Sequence, residues 1–404
     1  MPFIIYACPN YTVNAVKFID VLSSMRDVHF GLISQEPIVL LSPEIKSRIG
    51  GFRQIPDVFD AEALTEAAAT LQAESGPIHR LIAAVEPIQV SLAQVRERLG
   101  VEGMNVETAL NFRDKDRMKR LFREAGLPCA RAQTVTSVAE AETFAGSCGF
   151  PLVVKPPDGA GSLSTFKVNN AAELKTALAA MPGNRALLEE FITGTEHSFD
   201  TFTLGNQPLF HSISNYHPNP LEVMREPWIQ WQVILPREVD EPQYDDIRNA
   251  AFKALATLGM RTGISHLEWF RRTDGSIAIS EVAARPPGAQ FLTLIGRAGD
   301  FDAIDAWARL VVFGEFETPK RQYAVGAAYL RGQGQGRVRA VHGLDIVQRE
   351  VGHLITDFKI PQIGQEAAAN YEGEGYIILR HPETATVQEA LKRVVSAVRV
   401  ELGE

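Results

Sequence analysis

The sequence lacks the patterns that mark disulfide scaffolds, zinc sites and membrane spans. Its three cysteines, Cys8, Cys129 and Cys148, lie far apart and form neither a CxxC pair nor a Cys/His ligand spacing. No apolar run reaches the roughly 18 residues that a membrane span needs, and the apolar start at residues 2–7 has no basic residues before it. We therefore expect a protein of the reducing cytoplasm that has no membrane partner.

The distribution of charge and glycine argues against further classes of protein. The formal net charge is −9 and there is no long run of Lys and Arg, which argues against nucleic acid or an anionic membrane as the main partner. The loop at residues 8–12 has no GxGxxG, so an ordinary dinucleotide-binding domain is not indicated. With 404 residues, 45% of them hydrophobic, the chain is long enough for two or three domains.

The first third predicts a doubly wound α/β sheet. Residues 2–7 and Val28–Ser34 read as buried strands, and Val13–Ser24 between them reads as a helix. Leu81–Val85 is a further strand candidate, and Glu86 follows at its C-terminal end, where open α/β sheets gather ligands. Glu86 is thus a candidate for a substrate contact. The alternative is a carboxylate that is placed only to favour a helix N-terminus.

The rest of the chain predicts a mixed α+β organisation. A polar, basic helix from Asp114 to Glu124 ends at a Gly and a Pro, which indicates a hinge into a new domain. The elements predicted after it are a helix at Val138–Cys148, strands at Leu152–Lys155 and Ser164–Val168, a helix at Ala171–Met181, a strand at Leu188–Ile192, helices at Tyr244–Leu258 and Phe301–Phe313, and a final helix at Thr386–Leu402.

The segment from His266 to Gly288 predicts an antiparallel hairpin with a carboxylate on each strand. Glu268 lies on the polar face of the first strand, and Glu281 lies on the returning strand after a Thr-Asp-Gly-Ser turn. Paired carboxylates repel unless a cation lies between them, and Mg²⁺ prefers such hard oxygen ligands. Arg285, just beyond, is placed to steady a phosphate. The alternative is a solvated hairpin face that serves solubility.

Two lysines are candidates for phosphate contacts. Lys155 ends an apolar strand and precedes a loop that contains Gly159, Gly161 and Ser162. Glycines let backbone N–H groups approach phosphate oxygens, and the lysine adds a point charge. Lys115 begins the basic helix and is a second candidate. The alternatives are a simple hairpin turn for the loop and a solvated side chain for Lys115.

The segment Glu189–Glu196 passes from an apolar strand into a turn. Its backbone offers alternating N–H and C=O groups that can read an adenine edge, and Glu196 can accept hydrogen bonds from ribose hydroxyls. By itself the segment could be any strand edge. Its significance comes from the order of the motifs along the chain: basic helix, lysine with glycine loop, Glu-Glu strand, and two-carboxylate hairpin with an arginine.

That ordered set resembles the ATP-grasp superfamily over nearly the whole chain. The resemblance implies that Lys115, Lys155 and the loop Gly159–Ser162 contact the ATP phosphates. It also implies that Glu189, with the backbone of Glu190 and Ile192, meets adenine and that Glu196 meets ribose. Glu268 and Glu281 would hold Mg²⁺ or Mn²⁺. The implied substrate contacts are Arg285, for the γ-phosphate or a substrate carboxylate, and Glu86, His266 and Gly288.

The resemblance implies an ATP-grasp fold with an N-terminal doubly wound α/β domain and a C-terminal lobe. The predicted parts are an N-terminal domain at 1–112, a small lobe at 113–195, a large lobe with the metal site at 196–320, and a C-terminal domain at 321–404. Most members activate a carboxylate as an acyl phosphate, which an amine then attacks. Small-molecule carboxylates and amines would be the partners, and a homodimer is an open assembly state.

Within the superfamily, the run from Glu281 to Gly288 and the C-terminal Gly343–Asp345 and Gly373–Tyr376 look most like the L-amino-acid ligases that make dipeptides. Two alternatives stay open: a bicarbonate-activating enzyme that forms carboxyphosphate, and a non-catalytic nucleotide-binding regulator. Many ATP-grasp enzymes have Asn two residues after the second metal glutamate, whereas this chain has Ala283. The aromatic, proline-rich segment Tyr216–Trp231 suits a cover over the site or, alternatively, an edge hairpin.

Overall fold

The computed structural model describes residues 1–157, 164–226 and 228–404. Gly159, Gly161 and Ser162 of the predicted glycine loop lie outside these described residues. The three cysteines are free thiols. No helix in the described ranges is both long and apolar enough to cross a membrane.

The N-terminal part is a four-stranded parallel sheet with helices on both faces. Strand order is β3-β2-β1-β4, and Ile4 packs toward α1 while Ile5 packs toward α3 and α4. The predicted doubly wound sheet is confirmed. Its elements are β1 (Phe3–Cys8), α1 (Val13–Ser24), β2 (His29–Ser34), α2 (Pro43–Arg48), β3 (Gly51–Gln54), α3 (Ala61–Ser75), β4 (Ile78–Ile82), α4 (Gln89–Leu99) and α5 (Val106–Arg113).

The predicted strand at Leu81–Val85 is wrong in its position. The observed strand, β4, pairs with β1 and ends at Ile82, which lies opposite Tyr6. Pairing with β1 therefore fixes the strand, while Ala83 and Ala84 beyond it are buried without belonging to the sheet. Glu86 consequently lies four positions past the strand, in the turn before α4.

The second part is a small antiparallel sheet that carries two helices on one face. Strand order is β5-β8-β6-β7. Val154 and Leu188 pack against α7 and α8, so Lys155 and Glu189, which alternate with them, project from the opposite face. The elements are α6 (Lys115–Glu124), β5 (Ala132–Val135), α7 (Val138–Cys148), β6 (Leu152–Lys155), β7 (Phe166–Val168), α8 (Ala171–Ala179) and β8 (Ala186–Glu190).

The remaining chain builds an eight-stranded antiparallel large sheet and a three-stranded sheet. The large sheet has the order β13-β12-β9-β10-β11-β14-β18-β17, and the three-stranded sheet has the order β15-β19-β16. The elements are β9 (Gly194–Leu204), β10 (Gln207–His217), α9 (Pro220–Arg225), β11 (Gln232–Leu235), α10 (Asp245–Leu258), β12 (Gly263–Arg272), β13 (Ile277–Ala283), α11 (Phe291–Gly299), α12 (Ala303–Phe313), β14 (Ala324–Leu330), β15 (Gly332–Gln333), β16 (Arg337–His342), α13 (Leu344–Val351), β17 (Ile355–Lys359), β18 (Gly375–His381), α14 (Thr384–Ala397) and β19 (Arg399–Gly403).

The C-terminal prediction needs a correction. The helix ends at Ala397, not Leu402, because Arg399–Gly403 forms β19 between β15 and β16. Val398 and Val400 are buried in the cluster beneath α14, so strand pairing overrides the helical pattern. The four-part domain division remains a prediction: β9 begins at Gly194, and β14, β17 and β18 share the large sheet with β9–β13.

Candidate active site

A cavity of about 310 Å³, here called the main cavity, lies between the small sheet and the large sheet. Residues that are up to 285 positions apart in the chain, from Glu86 to Tyr371, converge on its wall. The predicted site residues that line it are Glu86, Lys115, Lys155, Glu189, Glu190, Ile192, Glu196, His266, Glu268, Glu281, Arg285 and Gly288. The structure therefore brings every described member of the predicted set to one cavity.

The two predicted metal carboxylates face each other across the hairpin. Glu268 on β12 pairs directly with Glu281 on β13, so both side chains project from the same face of the large sheet. A third carboxylate, Glu196, lies on the neighbouring strand β9. Burial raises the pKa of Glu196, and the negative charges of Glu268 and Glu281 raise that pKa further. This crowding of negative charge favours a cation in the cavity.

Two buried lysines approach the carboxylates from the opposite side. Lys155 Nζ lies 2.9 Å from Glu189 Oε2 and 3.7 Å from Glu281 Oε2, and Lys115 Nζ lies 3.3 Å from Glu281 Oε2. Burial lowers the pKa of Lys155, but Glu189 and Glu281 outweigh burial and raise it. Burial raises the pKa of Glu281, yet Lys115 and Lys155 bring it down to about 2. These shifts keep Lys155 protonated and Glu281 ionised at neutral pH.

The structure adds a third lysine that sequence reasoning missed. Lys119 is fully buried, with its Nζ 3.3 Å from Glu189 Oε1, and it donates to the carbonyl of Ile279 at 3.4 Å. Burial lowers the pKa of Lys119, and Glu189 opposes that effect. A signal was present in the sequence: Lys119 lies four residues after Lys115, on the same face of the basic helix.

One end of the cavity is apolar and suits a planar ring. Ile192 is buried against Ala130 and Ala278, with Phe270 beside them. The Glu190 side chain is held by Arg272 and by Arg131, whose Nε lies 2.9 Å from Glu190 Oε2. The backbone N–H of Glu190 donates to the carbonyl of Arg131. That N–H is therefore used within the protein, and a ligand would have to meet other backbone groups here.

A buried histidine–aspartate pair flanks Glu268. His266 Nδ1 lies 2.6 Å from Asp200 Oδ1, and His266 Nε2 lies 3.7 Å from Glu268 Oε1. Burial lowers the pKa of His266, but Asp200 and Glu268 raise it to about 9. Asp200, on β9, was not singled out in the sequence, because an acidic residue in a strand signals nothing until its neighbour across the sheet is known.

Arg285 and Glu86 form an ion pair at the far end of the main cavity. Arg285 Nη2 lies 3.1 Å from Glu86 Oε2, while Arg113 Nη1 lies 3.2 Å from Glu86 Oε1. Each carboxylate oxygen of Glu86 therefore contacts a different arginine. Glu86, which follows the first sheet, thus meets Arg285, which follows β13, and the N-terminal part contributes directly to the site.

Five residues of the segment Tyr216–Trp231 line the main cavity, and the cover role of the segment stays a prediction. The cavity-lining members of the segment are Tyr216, Asn219, Pro220, Leu221 and Trp231. Arg331 anchors the segment, because its Nη1 donates to the carbonyls of Val223 at 2.7 Å, Glu226 at 3.2 Å and Ile229 at 2.9 Å. Trp228, by contrast, is exposed.

The donor set fits a magnesium ion that is shared with phosphates. Within residues 1–157, 164–226 and 228–404, no group of three or more His, Cys, Asp or Glu side chains is arranged to hold a metal unaided. Mg²⁺ commonly takes only one or two protein carboxylates and completes its shell with phosphate and water oxygens. Glu268 and Glu281 supply such a pair. Ala283, opposite His266 in the hairpin, adds no ligand.

The fold matches several solved structures over the whole chain. An L-amino acid ligase from Bacillus licheniformis superposes with a TM-score of 0.80 at 18% identity, covering 100% of this chain and 99% of that one. An N5-carboxyaminoimidazole ribonucleotide synthetase from Thermotoga maritima superposes with a TM-score of 0.74 at 17% identity, with full coverage of both chains. Both are ATP-grasp proteins. The chain has the ATP-grasp fold.

Sequence comparison gives relatives for the middle part of the chain. The family described as D-ala D-ala ligase C-terminus matches residues 121–294. The L-arginine-specific L-amino acid ligase of Bacillus subtilis is 27% identical over 228 residues, which are 54% of each chain. D-alanine–D-alanine ligase A of Salmonella typhimurium is 30% identical over 200 residues, or 46% of this chain and 53% of the relative. The chain thus spans about half the length of these curated ligases.

Proposed function

We propose that this protein is an ATP-dependent ligase that joins a carboxylate to an amine through an acyl phosphate, with amino acids as substrates. The observation that carries the proposal is the convergence of three lysines, two opposed glutamates and Arg285 on one cavity. Ligases specific for amino acids among the sequence relatives support the choice of substrate class.

The nucleotide would lie along the face of the small sheet. Its adenine would enter the apolar end beside Ile192, its ribose would meet Glu196, and its phosphates would meet Lys115, Lys119 and Lys155. Glu268 and Glu281 would hold Mg²⁺, which when bound supplies positive charge that neutralises phosphate oxygens. Because Lys155 and Lys115 now contact Glu281, a bound phosphate would replace carboxylate contacts that these lysines already make.

The residues of this chain suit a reaction that gathers negative charge. A donor carboxylate attacks the γ-phosphorus, ADP leaves, and an acyl phosphate forms. The ammonium of the acceptor gives one proton to water, its lone pair attacks the acyl carbon, phosphate leaves, and the nitrogen gives a second proton to water to leave the amide. Buried lysines stabilise the oxygens in a place where water screens them little. Arg285 would hold the donor carboxylate or the γ-phosphate, and the cover segment would exclude water from the acyl phosphate.

The test is ATP turnover across pairs of amino acids. We expect ADP and phosphate to form in equal amounts with a product whose mass is the sum of two amino acids less one water. Bicarbonate-dependent turnover without an amino-acid donor would instead favour a carboxyphosphate-forming enzyme. Tight ATP binding with no turnover for any pair would favour a non-catalytic regulator.

A further inference from the structure

A second chamber of about 390 Å³ adjoins the main cavity, on the side of the first sheet. The two cavities share Glu86, Arg285, Gly288 and Tyr371. The second chamber is walled by α1, by the segments after β1 and β4, and by the chain between β13 and α12. Apart from Arg285, no residue proposed above to contact the nucleotide or the metal lines it.

The inference rests on the ligase function proposed above. We propose that the second chamber binds the amine substrate, and that this substrate is a free α-amino acid with an apolar side chain. Its amino group would meet Glu86 at the junction of the cavities, its carboxylate would meet Lys17, and its side chain would lie among apolar residues.

The residues that line the second chamber determine which class of acceptor side chain it can bind. Tyr6 and Phe18 contribute rings, and Leu292 and Ile304 contribute aliphatic groups. Tyr6, Phe18 and Leu292 are also buried members of one hydrophobic cluster. A charged side chain placed among such groups would lose its hydration without gaining a partner, whereas an apolar one would gain from burial. The chamber therefore selects against acidic and basic acceptors.

Glu86 provides the contact for the amino group. Its two oxygens are held separately, one by Arg113 and one by Arg285. When Arg285 turns to a donor carboxylate, Glu86 Oε2 is released toward the shared junction, while Arg113 keeps its contact with Glu86 Oε1. An ammonium group is the natural new partner of that oxygen. The exchange places the amine beside the donor that Arg285 holds.

Lys17 provides the matching cation, and the backbone around its contact is strained. Lys17 Nζ lies 3.4 Å from Gln290 Oε1. Ala289 and Gln290 both have positive φ, at 48° and 63°, a conformation that costs non-glycine residues energy and is kept mainly at functional sites. The hydroxyl of Tyr329 donates to the carbonyl of Ala289 and holds this turn. The turn fixes Gln290, and with it the contact to Lys17, at the chamber wall.

The experiment measures binding and reaction with four acceptor probes: L-leucine, L-leucinamide, L-aspartate and L-lysine. Calorimetry with the full chain in ADP and Mg²⁺ gives affinities without turnover. We expect leucine to bind about tenfold more tightly than leucinamide, because only leucine has a carboxylate for Lys17, and more tightly than aspartate or lysine by at least that factor. Lys17→Met should abolish the preference for leucine over leucinamide, and the exposed control Lys392→Met should keep it.

The outcomes separate this inference from the ligase function. Hydroxylamine captures the acyl phosphate of a donor without any amino-acid acceptor, so hydroxamate formation tests the ligase alone. Hydroxamate formation without discrimination among the four acceptors, or a leucine preference that survives Lys17→Met, would overturn the chamber assignment and leave the ligase standing. Leucine-selective binding without hydroxamate from any donor would overturn the ligase function, and the acceptor role with it. Glu86→Gln should weaken leucine binding about tenfold, and the surface control Glu389→Gln should leave it unchanged.

Discussion

Glu268 and Glu281 lie directly opposite each other on β12 and β13, and Lys115 and Lys155 both reach Glu281 from the small-sheet side. One carboxylate therefore belongs at once to a pair that can bind a metal and to a cluster of cations that can bind phosphate. The lysines hold the pKa of Glu281 near 2 against the effect of burial, so this carboxylate stays ionised and ready to act as a ligand at neutral pH.

Replacing Glu281 by Gln should separate the metal contribution from the nucleotide contribution. We expect the affinity for ADP in the presence of Mg²⁺ to fall by about 10- to 100-fold, because an anionic ligand is lost. Affinity for ADP in EDTA should not fall, because Lys115 and Lys155 lose a competitor for phosphate. Calorimetry in both conditions measures the difference, and Glu389→Gln, on the surface, is the control. An equal loss in both conditions would contradict the assignment of Glu281 to the metal.

Lys119 should matter for nucleotide binding although it is fully buried. Lys119→Met keeps the volume of the side chain and leaves Glu189 with Lys155 as its remaining partner. We expect ADP affinity to fall about tenfold or more, since a buried charge that faces phosphate is lost. Lys392→Met is the matched control for a surface lysine. Unchanged ADP affinity in a folded Lys119→Met protein would show that Lys119 serves only to neutralise Glu189.

Local sequence patterns predicted the helices that carry their own caps. The helix at Val13–Ser24 has Thr12 as its N-cap, the helix at Val138–Cys148 has Ser137, and both match the predicted bounds. Each side-chain cap is a signal within a few residues of the helix that it starts. The hairpin that carries Glu268 and Glu281 could also be predicted from a short stretch of sequence, because a four-residue turn joins its two strands.

Features that depend on distant partners could not be predicted in the same way. Lys119 looks like one more solvated lysine of a polar helix until Glu189, 70 positions later, is placed beside it. The role of Asp200 becomes clear only when His266, on the neighbouring strand, is placed beside it. The error at the C-terminus has the same cause, because the pairing of β19 with β16 outweighs the helical pattern. The helix Phe291–Gly299 was also missed.

The His266–Asp200 pair should give the protein a pH-dependent stability. The folded-state pKa of His266 is raised from 6.5 to about 9, so its stabilisation is fully present below pH 6.5 and is lost as pH rises through 9. The Asp200→Asn protein keeps the shape of the partner but removes its charge. We expect the difference in thermal midpoint between wild type and Asp200→Asn to be largest at pH 6 and to shrink toward pH 9.5. A difference that stays constant with pH would contradict the raised pKa.

Arg331 should control the cover segment without touching the nucleotide. Arg331→Met leaves the carbonyls of Val223 and Ile229 without this donor, while the Glu226 carbonyl keeps the N–H of Ile229. An unsatisfied buried acceptor costs about 1–3 kcal/mol. We expect protease cleavage within residues 219–231 to accelerate, and acyl phosphate to be lost to water as ADP formation that is not coupled to product. Arg337→Met, which alters an exposed arginine, should do neither. If ADP formation in Arg331→Met stays coupled to product formation and protease cleavage is unchanged, then other contacts hold the cover segment.

Ala283 offers a gain-of-ligand test. Ala283→Asn places an amide oxygen on the strand that carries Glu281, two residues further on, where many ATP-grasp enzymes have Asn. We expect the Mg²⁺ concentration for half-maximal nucleotide binding to fall about tenfold. Ala284→Asn, on the opposite side of the chain, is the control. An unchanged Mg²⁺ requirement in the folded Ala283→Asn protein would show that His266, its cross-strand neighbour, keeps the added amide from the metal.

The fate of the donor oxygen tests the ligase proposal most directly. The protein is supplied with ATP, Mg²⁺ and a pool of amino acids whose carboxylates carry ¹⁸O, and the released phosphate is analysed by mass spectrometry. An acyl phosphate intermediate predicts that one ¹⁸O passes from the donor carboxylate into each phosphate released with ADP. Phosphate without ¹⁸O, formed together with a new amide, would contradict it.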